Sequence, residues 1–68
     1  MRESISSLIK RVRAEKNLTL KDLSLKSGVS FVEINNIELR KNNPSAKTLL
    51  KIADALELDF EDLFHRDL

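Results

Sequence analysis

Residues 19–38, TLKDLSLKSGVSFVEINNIE, contain two short helical patterns separated by the only glycine of the chain, Gly28. Thr19 is followed three positions later by Asp22, and Ser30 is followed at the same spacing by Glu33. Each pair is typical of a capping box, in which each side chain accepts a hydrogen bond from the other residue's backbone amide at a helix start. Gly28 lies where the chain reverses, since a left-handed conformation there costs other residues about 1–2 kcal/mol. The stretch predicts two helices that cross at a tight turn.

Three further helices are predicted around this pair. Upstream, apolar residues recur at i, i+3, i+4 and i+7, which predicts an amphipathic helix that Asn17 closes in a left-handed conformation; they are Ile5, Leu8, Ile9 and Val12. Downstream, Pro44 ends a loop and Ser45 caps a fourth helix with an apolar stripe; the stripe is Leu49, Ile52, Ala53 and Leu56. Asp59 opens a fifth, with Leu63 and Phe64 packing inward. The predicted helices cover about residues 4–16, 20–27, 31–38, 46–56 and 60–64.

Composition predicts one all-α domain over residues 1–68, because glycine and proline occur once each and apolar residues are regularly spaced. Cysteine is absent, which predicts a reducing, cytoplasmic location and excludes a disulfide framework. No apolar run approaches the roughly 20 residues that span a bilayer. The net charge of +1 is unevenly distributed: residues 1–34 carry seven Lys/Arg and four Asp/Glu, hence +3, whereas residues 35–68 carry five and seven, hence −2. This distribution suits a molecule with one face for phosphate.

From about Ile5 to Phe64 the chain resembles the lambda-repressor-like (Cro/cI, XRE) helix-turn-helix family of DNA-binding proteins. The matching residues are Arg13, Leu18, Thr19, Leu23, Gly28, Val29, Ser30, Ile34, Ile37, Glu38, Asn43, Pro44, Ser45, Leu49, Ile52, Ala53, Leu56, Leu63 and Phe64. The resemblance implies five short helices, with helices two and three forming the helix-turn-helix, and an ion pair between Arg13 and Glu38. It also implies a sequence-specific transcriptional regulator of double-stranded DNA that needs no cofactor or metal.

If the third helix enters the major groove, the outward residues near its start become the candidates for base contacts. They are Phe31, Val32, Glu33, Asn35 and Asn36. Asn36 is the foremost of them, because asparagine can bind adenine N6 and N7 together. Phe31 and Val32 can pack on thymine methyl groups, which predicts a preference for A·T pairs, although they could instead contact protein or fold back on Leu20. For Glu33, accepting from the Ser30 amide is favoured over accepting from cytosine N4.

Phosphate contacts are expected from cations, amides and polar loop residues around this helix. The candidates are Thr19 with the amides at the start of helix two, Lys21, Arg40, Lys41, Asn42, Asn43, Lys10 and Arg11. Any one of these lysines alone would be interpreted as an ordinary solvated side chain. The hypothesis depends on their clustering beside the third helix.

Three residues depart from the family pattern. Leu20 stands where the family commonly has a glutamine that contacts phosphate. Arg40 replaces a usual glycine after Glu38, which predicts a differently shaped turn. Ser24 stands in place of alanine, a mild steric change.

Two further functional expectations concern partners. One short recognition helix contacts few base pairs, so a homodimer on a (pseudo)palindromic operator is expected, with Phe60, Leu58 and Leu68 as the candidate interface. The family resemblance implies a repressor-type protein. The alternative function is an antitoxin-like or anti-repressor-like interaction module that binds protein through Leu20, Leu25, Phe31 and Val32. An enzyme is not expected, because His65 is the only histidine and no set of reactive groups converges.

Overall fold

The computed structural model describes residues 3–64, 66 and 67, and over these residues the chain is all-helical. The helices are α1 (Ile5–Glu15), α2 (Leu20–Ser27), α3 (Phe31–Glu38), α4 (Ala46–Ala55) and α5 (Phe60–Phe64). The predicted five-helix fold is confirmed. α1 is one residue shorter than predicted at each end, because Ser4 and Lys16 are its caps, and α4 ends one residue early because Leu56 is a cap.

Each of the four longer helices begins at a hydroxyl side chain that accepts a hydrogen bond from the third helical amide; these caps are Ser4, Thr19, Ser30 and Ser45. At Thr19 the capping box is complete, with the Thr19 amide donating to Asp22 Oδ2 at 2.9 Å and the Asp22 amide donating to Thr19 Oγ1 at 3.0 Å. The bond from the Thr19 amide is the main cause that lowers the pKa of the Asp22 carboxyl below its usual value.

At Ser30 only half of the predicted capping box forms. The Glu33 amide donates to Ser30 Oγ at 3.1 Å, but the Glu33 carboxylate accepts a 3.5 Å hydrogen bond from the Thr48 hydroxyl of α4 instead of bonding the Ser30 amide. The prediction of a reciprocal cap is therefore wrong, because a tertiary neighbour competes for the carboxylate. The bond between Thr48 and Glu33 links the start of α3 to the start of α4.

Three helices end in the same hydrogen-bonded turn, with a residue other than glycine in the left-handed conformation. Asn17, Arg40 and Glu57 have φ of 57°, 61° and 59°. In each turn this residue and the next donate their amides back to the last helical turn, which is the Schellman motif; the closing bonds run from Leu18 to Arg13, Lys41 to Asn36 and Leu58 to Ala53. The predicted cap at Asn17 is confirmed, as is the left-handed Gly28, whose φ is 74°. Arg40 keeps the conformation that glycine favours, so the prediction of a differently shaped turn is wrong.

Replacing Glu57 with glycine is expected to raise the free energy of unfolding by about 1 kcal/mol, because it relieves a left-handed residue that has a Cβ atom. The ion pair that Glu57 forms with Lys16, at 3.3 Å, is solvent-exposed and contributes little. Thermal unfolding measures the change, and Glu57→Ala is the matched control because it removes the same ion pair and keeps the strain. A glycine variant no more stable than the alanine variant would contradict the argument.

A single apolar core joins the helices. α2 packs against α3 and α4, α1 packs against α3, and α5 packs against α4. The buried apolar residues are Ile5, Leu8, Ile9, Val12, Leu23, Val29, Ile34, Ile37, Ile52, Ala53, Leu56 and Leu63. They include the predicted inward positions of all five helices except two: Leu49 is half-buried against the core, and the side chain of Phe64 lies outside the described residues.

The described C-terminal residues pack back onto the start of α1. The Ile5 amide donates to the Asp67 carbonyl at 2.8 Å, and Arg66 Nη1 donates to the Glu3 carbonyl at 2.7 Å. The first amide of α1, which has no partner within its own helix, is thereby satisfied from the far end of the chain. In the part of the chain described here, none of the helices combines the length and the apolar character that crossing a bilayer requires.

Candidate nucleic-acid interface

The inner side of α3 is held by apolar contacts and one buried hydrogen bond. Ile34 and Ile37 are completely buried. Ser6 of α1, 1% exposed, donates its hydroxyl to the Ile37 carbonyl at 2.6 Å. Sequence reasoning missed Ser6, because a serine beside an apolar stripe looks like an ordinary surface residue. The bond fixes the end of α3 against α1.

Arg13 of α1 and Glu38 of α3 form the ion pair that the family resemblance implied. Arg13 Nε donates to Glu38 Oε2 at 2.8 Å and Nη2 donates to Oε1 at 3.0 Å, so the two planar groups meet side by side. Arg13 Nη1 also donates to the Leu18 carbonyl at 2.8 Å. The side chains are 16% and 5% exposed, and the hydrogen bonds that Arg13 donates to Glu38 raise the pKa of Arg13 above its usual value. The pair therefore orients α3 and is not available to contact bases.

Serine side chains brace the turn between α2 and α3. The Ser24 hydroxyl donates to the Val29 carbonyl at 2.7 Å, and the Val29 amide donates to Ser27 Oγ at 3.1 Å. The Gly28 amide donates to the Ser24 carbonyl at 2.9 Å. Ser24 was interpreted as a mild steric change, yet its hydroxyl satisfies a backbone carbonyl that an alanine would leave without this partner. The turn thus holds the two helices at a defined angle.

The outer face of α3 combines exposed apolar side chains with two amides. Phe31 and Val32 are 49% and 62% exposed, while Asn35 and Asn36 are half-buried. Leu39, the residue that caps the helix, is 54% exposed and extends the apolar surface, although sequence reasoning did not single it out. The helix FVEINNIE contains no lysine or arginine. Any contact this face makes with bases must therefore be apolar or through neutral amides.

The cations predicted to contact phosphate fall into two groups. Lys10, Lys21 and Lys41 are exposed, and none has a carboxylate within ion-pair distance among the described residues. Arg11 instead lies between two carboxylates, with Nη2 at 2.8 Å from Glu3 and Nη1 at 3.0 Å from Glu15. These bonds raise the pKa of Arg11 and the one to Glu3 lowers the pKa of that carboxyl, so the charge of Arg11 is offset locally.

The remaining candidates for phosphate contacts are polar residues at the ends of α2 and α3. Thr19, Asn42 and Asn43 are exposed. Arg40 is exposed and donates from Nη2 to the Ser4 hydroxyl at 2.9 Å, a neutral partner that leaves its charge uncompensated. Sequence reasoning did not choose three further exposed lysines that also lack a carboxylate partner in the described structure; they are Lys26, Lys47 and Lys51. The sequence does not distinguish these cations from the paired ones, because the distances to carboxylates depend on how the chain folds.

The residues expected at a dimer interface are only partly described. Leu58 is half-buried and packs against the core, and Phe60 at the start of α5 is also half-buried. Leu68 lies outside the described residues, as does His65. Among the residues that the structure covers, no cluster of three or more histidine, aspartate or glutamate side chains could hold a metal ion.

Comparison with known proteins identifies relatives over most of the chain. The helix-turn-helix family HTH_3 matches residues 9–63. The HTH-type transcriptional repressor RghR of Bacillus subtilis is 35% identical over 65 residues, which are 94% of this chain and 48% of that protein. The uncharacterized HTH-type transcriptional regulator MJ0272 of Methanocaldococcus jannaschii is 45% identical over 56 residues, which are 82% of this chain and 85% of that protein. The chain thus spans about half the length of the Bacillus repressor.

Solved structures match the fold as well. A crystal structure of an HTH_3 family transcriptional regulator from Vibrio cholerae superposes with a TM-score of 0.81 and 33% identity, covering 88% of this chain and 34% of that one. The wild-type restriction-modification controller protein C.Esp1396I superposes with a TM-score of 0.78 and 34% identity, covering 91% and 87%. The chain is therefore similar to these proteins in both sequence and fold.

Proposed function

The chain belongs to the HTH_3 family, the XRE/Cro-cI-like helix-turn-helix family of DNA-binding transcriptional regulators, and from this premise we propose that it binds specific DNA sites by placing α3 in the major groove. Family membership also sets the class of activity, since these proteins are regulators and not enzymes. We also propose a cytoplasmic location, because the relatives are bacterial and archaeal proteins and the DNA of such cells lies in the cytoplasm. We propose the repressor type of regulation, by analogy with the name of the Bacillus relative.

One observation carries this proposal: α3 is anchored on its inner side and open on its outer side. Ser6, Arg13 and the buried isoleucines hold the helix against the rest of the fold, whereas its outer face stays exposed. Exposed cations that pair with no carboxylate among the described residues lie on the neighbouring segments, Lys21 and Lys26 on α2 and Lys41 after α3. Such cations supply salt-dependent attraction to phosphate, while the helix contacts base edges.

Fluorescence anisotropy with a labelled random-sequence duplex tests the proposal most directly. At low salt we expect binding, and a steep loss of affinity as salt is raised, because each neutralised phosphate releases a counterion. Selection from a random pool then identifies the preferred site. A chain that binds no duplex at low ionic strength would not be a DNA-binding regulator, and the interaction-module function, supported by the 76% exposure of Leu25, would replace it.

Asn36→Ala is expected to weaken binding to the selected site by about 1–3 kcal/mol and to relax the preference at one base pair, because an adenine loses its paired hydrogen bonds. Asn36 is half-buried on the surface of α3, so the fold should remain intact. Anisotropy against the selected duplex and against single-base variants measures both effects. Unchanged affinity would remove Asn36 from the base contacts.

Lys41→Ala is the matched variant for a phosphate contact. It is expected to weaken binding to all sequences alike and to reduce the salt slope by about one unit, because one counterion fewer is released. The same titrations at several salt concentrations measure it. A loss confined to the selected site would contradict the assignment to phosphate.

We also propose that the chain binds a (pseudo)palindromic operator as a homodimer. An eight-residue recognition helix contacts few base pairs, and two-fold symmetry places two such helices about 34–36 Å apart on one face of the duplex. The candidate interface residues remain Phe60, the first residue of α5, Leu58, two residues before it, and Leu68, which lies outside the described residues. Analytical ultracentrifugation at high concentration measures the oligomeric state. Monomers alone, both free and on a palindromic duplex, would contradict the dimer.

A further inference from the structure

We propose that the apolar outer side chains of α3 bind the C5-methyl groups of pyrimidines, so that the chain prefers DNA with methylated pyrimidine C5 positions, whether in thymine or in 5-methylcytosine. This inference rests on the proposed function, because it names the chemical feature that α3 would recognise in the major groove.

The position of the exposed side chains on α3 is the first support. Val32 and Leu39 are seven residues apart, and at about 100° per residue they lie within about 20° of each other on the helix. They face away from the fully buried Ile34 and Ile37, and they are 62% and 54% exposed. Phe31, 49% exposed, lies at the start of the same helix, about 100° around it from Val32, and Asn35 and Asn36 lie between Val32 and Leu39. We call the exposed side chains of Phe31, Val32 and Leu39 the apolar strip of α3.

The second support is that the outer side of α3 offers no cation; besides the apolar side chains it carries the neutral amides of Asn35 and Asn36. The helix contains no lysine or arginine, so the bidentate contact of a cation with guanine is not available from it. Its one carboxylate near the start, Glu33, accepts a hydrogen bond from Thr48 and is thereby drawn towards α4. In the major groove the C5-methyl group is the apolar feature that base pairs present, the others being hydrogen-bond donors and acceptors. An apolar strip is complementary to that feature.

The charges around α3 favour DNA over a protein as the occupant of this strip. Lys21 on α2 and Lys41 immediately after α3 are exposed and have no carboxylate partner in the described part of the chain. α2 packs directly against α3, so these positive charges are carried by segments that adjoin α3 in space or along the chain. A polyanion that also presents methyl groups satisfies both features. Because cytosine methylated at C5 places its methyl group in the same groove as thymine does, the strip would accept either base.

Alternating polymers test the inference without knowledge of the operator. Anisotropy competition at one low salt concentration compares poly(dA-dT) with poly(dA-dU), and poly(dG-dC) with poly(dG-5-methyl-dC). The two members of each pair differ in the pyrimidine methyl groups. We expect the methylated member to bind about fourfold more tightly for each methyl group buried, the equivalent of one methylene removed from water. Equal affinities within both pairs would overturn the inference.

Two variants assign the effect to the strip. Val32→Ala should reduce the preference for methylated polymer, whereas Leu25→Ala, which removes a similarly exposed apolar side chain from α2, should leave it unchanged. A preference that both variants retain, or that both lose alike, would overturn the assignment to α3. A chain that binds none of the four polymers would instead remove the proposed function itself, so the two failures are distinguishable.

Discussion

Arg13→Met is expected to lower the free energy of unfolding by about 3–5 kcal/mol, because it leaves the Glu38 carboxylate buried without its cation. Glu38 is only 5% exposed and accepts two hydrogen bonds from Arg13, at 2.8 and 3.0 Å. The Leu18 carbonyl also loses the hydrogen bond that it accepts from Arg13 Nη1. A domain of this size has a total stability of roughly 3–10 kcal/mol, so the variant loses about a third or more of it and is unfolded at room temperature if the wild-type stability lies at the lower end of that range. Urea denaturation followed by circular dichroism measures the loss.

The double variant Arg13→Met/Glu38→Leu separates the cost of an unpaired charge from a requirement for the ion pair itself. Replacing both partners with apolar side chains removes the buried charge, and such replacements are often neutral or stabilising. We therefore expect the double variant to recover most of the stability. If the double variant is as unstable as Arg13→Met, the attraction between Arg13 and Glu38 itself stabilises the fold. The loss in Arg13→Met is then more than the cost of an unpaired buried carboxylate. If Arg13→Met costs less than 1 kcal/mol, Glu38 reaches solvent and the buried-pair interpretation is wrong.

Ile37→Ala is expected to lower the free energy of unfolding by about 2–5 kcal/mol, through lost burial and the cavity that remains. Ile37 is completely buried, and its carbonyl accepts the Ser6 hydroxyl, so the cavity would open where α3 meets α1. The apparent affinity for DNA should fall in proportion to the folded fraction. It should recover under conditions that stabilise the folded state, such as a lower temperature. Denaturation curves and anisotropy on the same samples test this link.

Val32→Ala is the matched control, because it removes apolar atoms from the same helix on the solvent side. Val32 is 62% exposed, so its loss should change stability by less than about 0.5 kcal/mol. A destabilisation comparable to that of Ile37→Ala would mean that the outer strip of α3 packs against something within the fold. It would also contradict the inference that the strip is free to contact methyl groups.

The helices and their caps could be predicted from the sequence because their causes are local. A hydroxyl residue bonds an amide three positions away, and Thr19 does so with Asp22 as predicted. Apolar periodicity marks the inward face of each helix, and Ile34, Ile37 and Ile52 are buried accordingly. Glu33 is the instructive failure: a residue on another helix, Thr48, takes the carboxylate that local reasoning assigned to Ser30.

The candidate site could be predicted only in outline. Which residues lie on α3 followed from periodicity, but which cations are free did not. Arg11 and Lys10 are adjacent in the chain, yet Arg11 is enclosed by Glu3 and Glu15 whereas Lys10 has no carboxylate partner in the described structure. Ser6 and Ser24 likewise gained their roles from carbonyls that only the folded chain brings within reach.

The sequence by itself determined the helices, the sharp turn at Gly28 and the membership of a DNA-binding family, since each is encoded by spacings of a few residues or by a pattern of matching positions. Tertiary structure alone decided how α3 is oriented, which charges are paired and which apolar side chains remain exposed. The physical reason is that ion pairs such as Arg13–Glu38 and hydrogen bonds such as Ser6 to Ile37 join residues 25 and 31 positions apart. Their geometry, and with it the accessible face of α3, exists only once the helices have packed together.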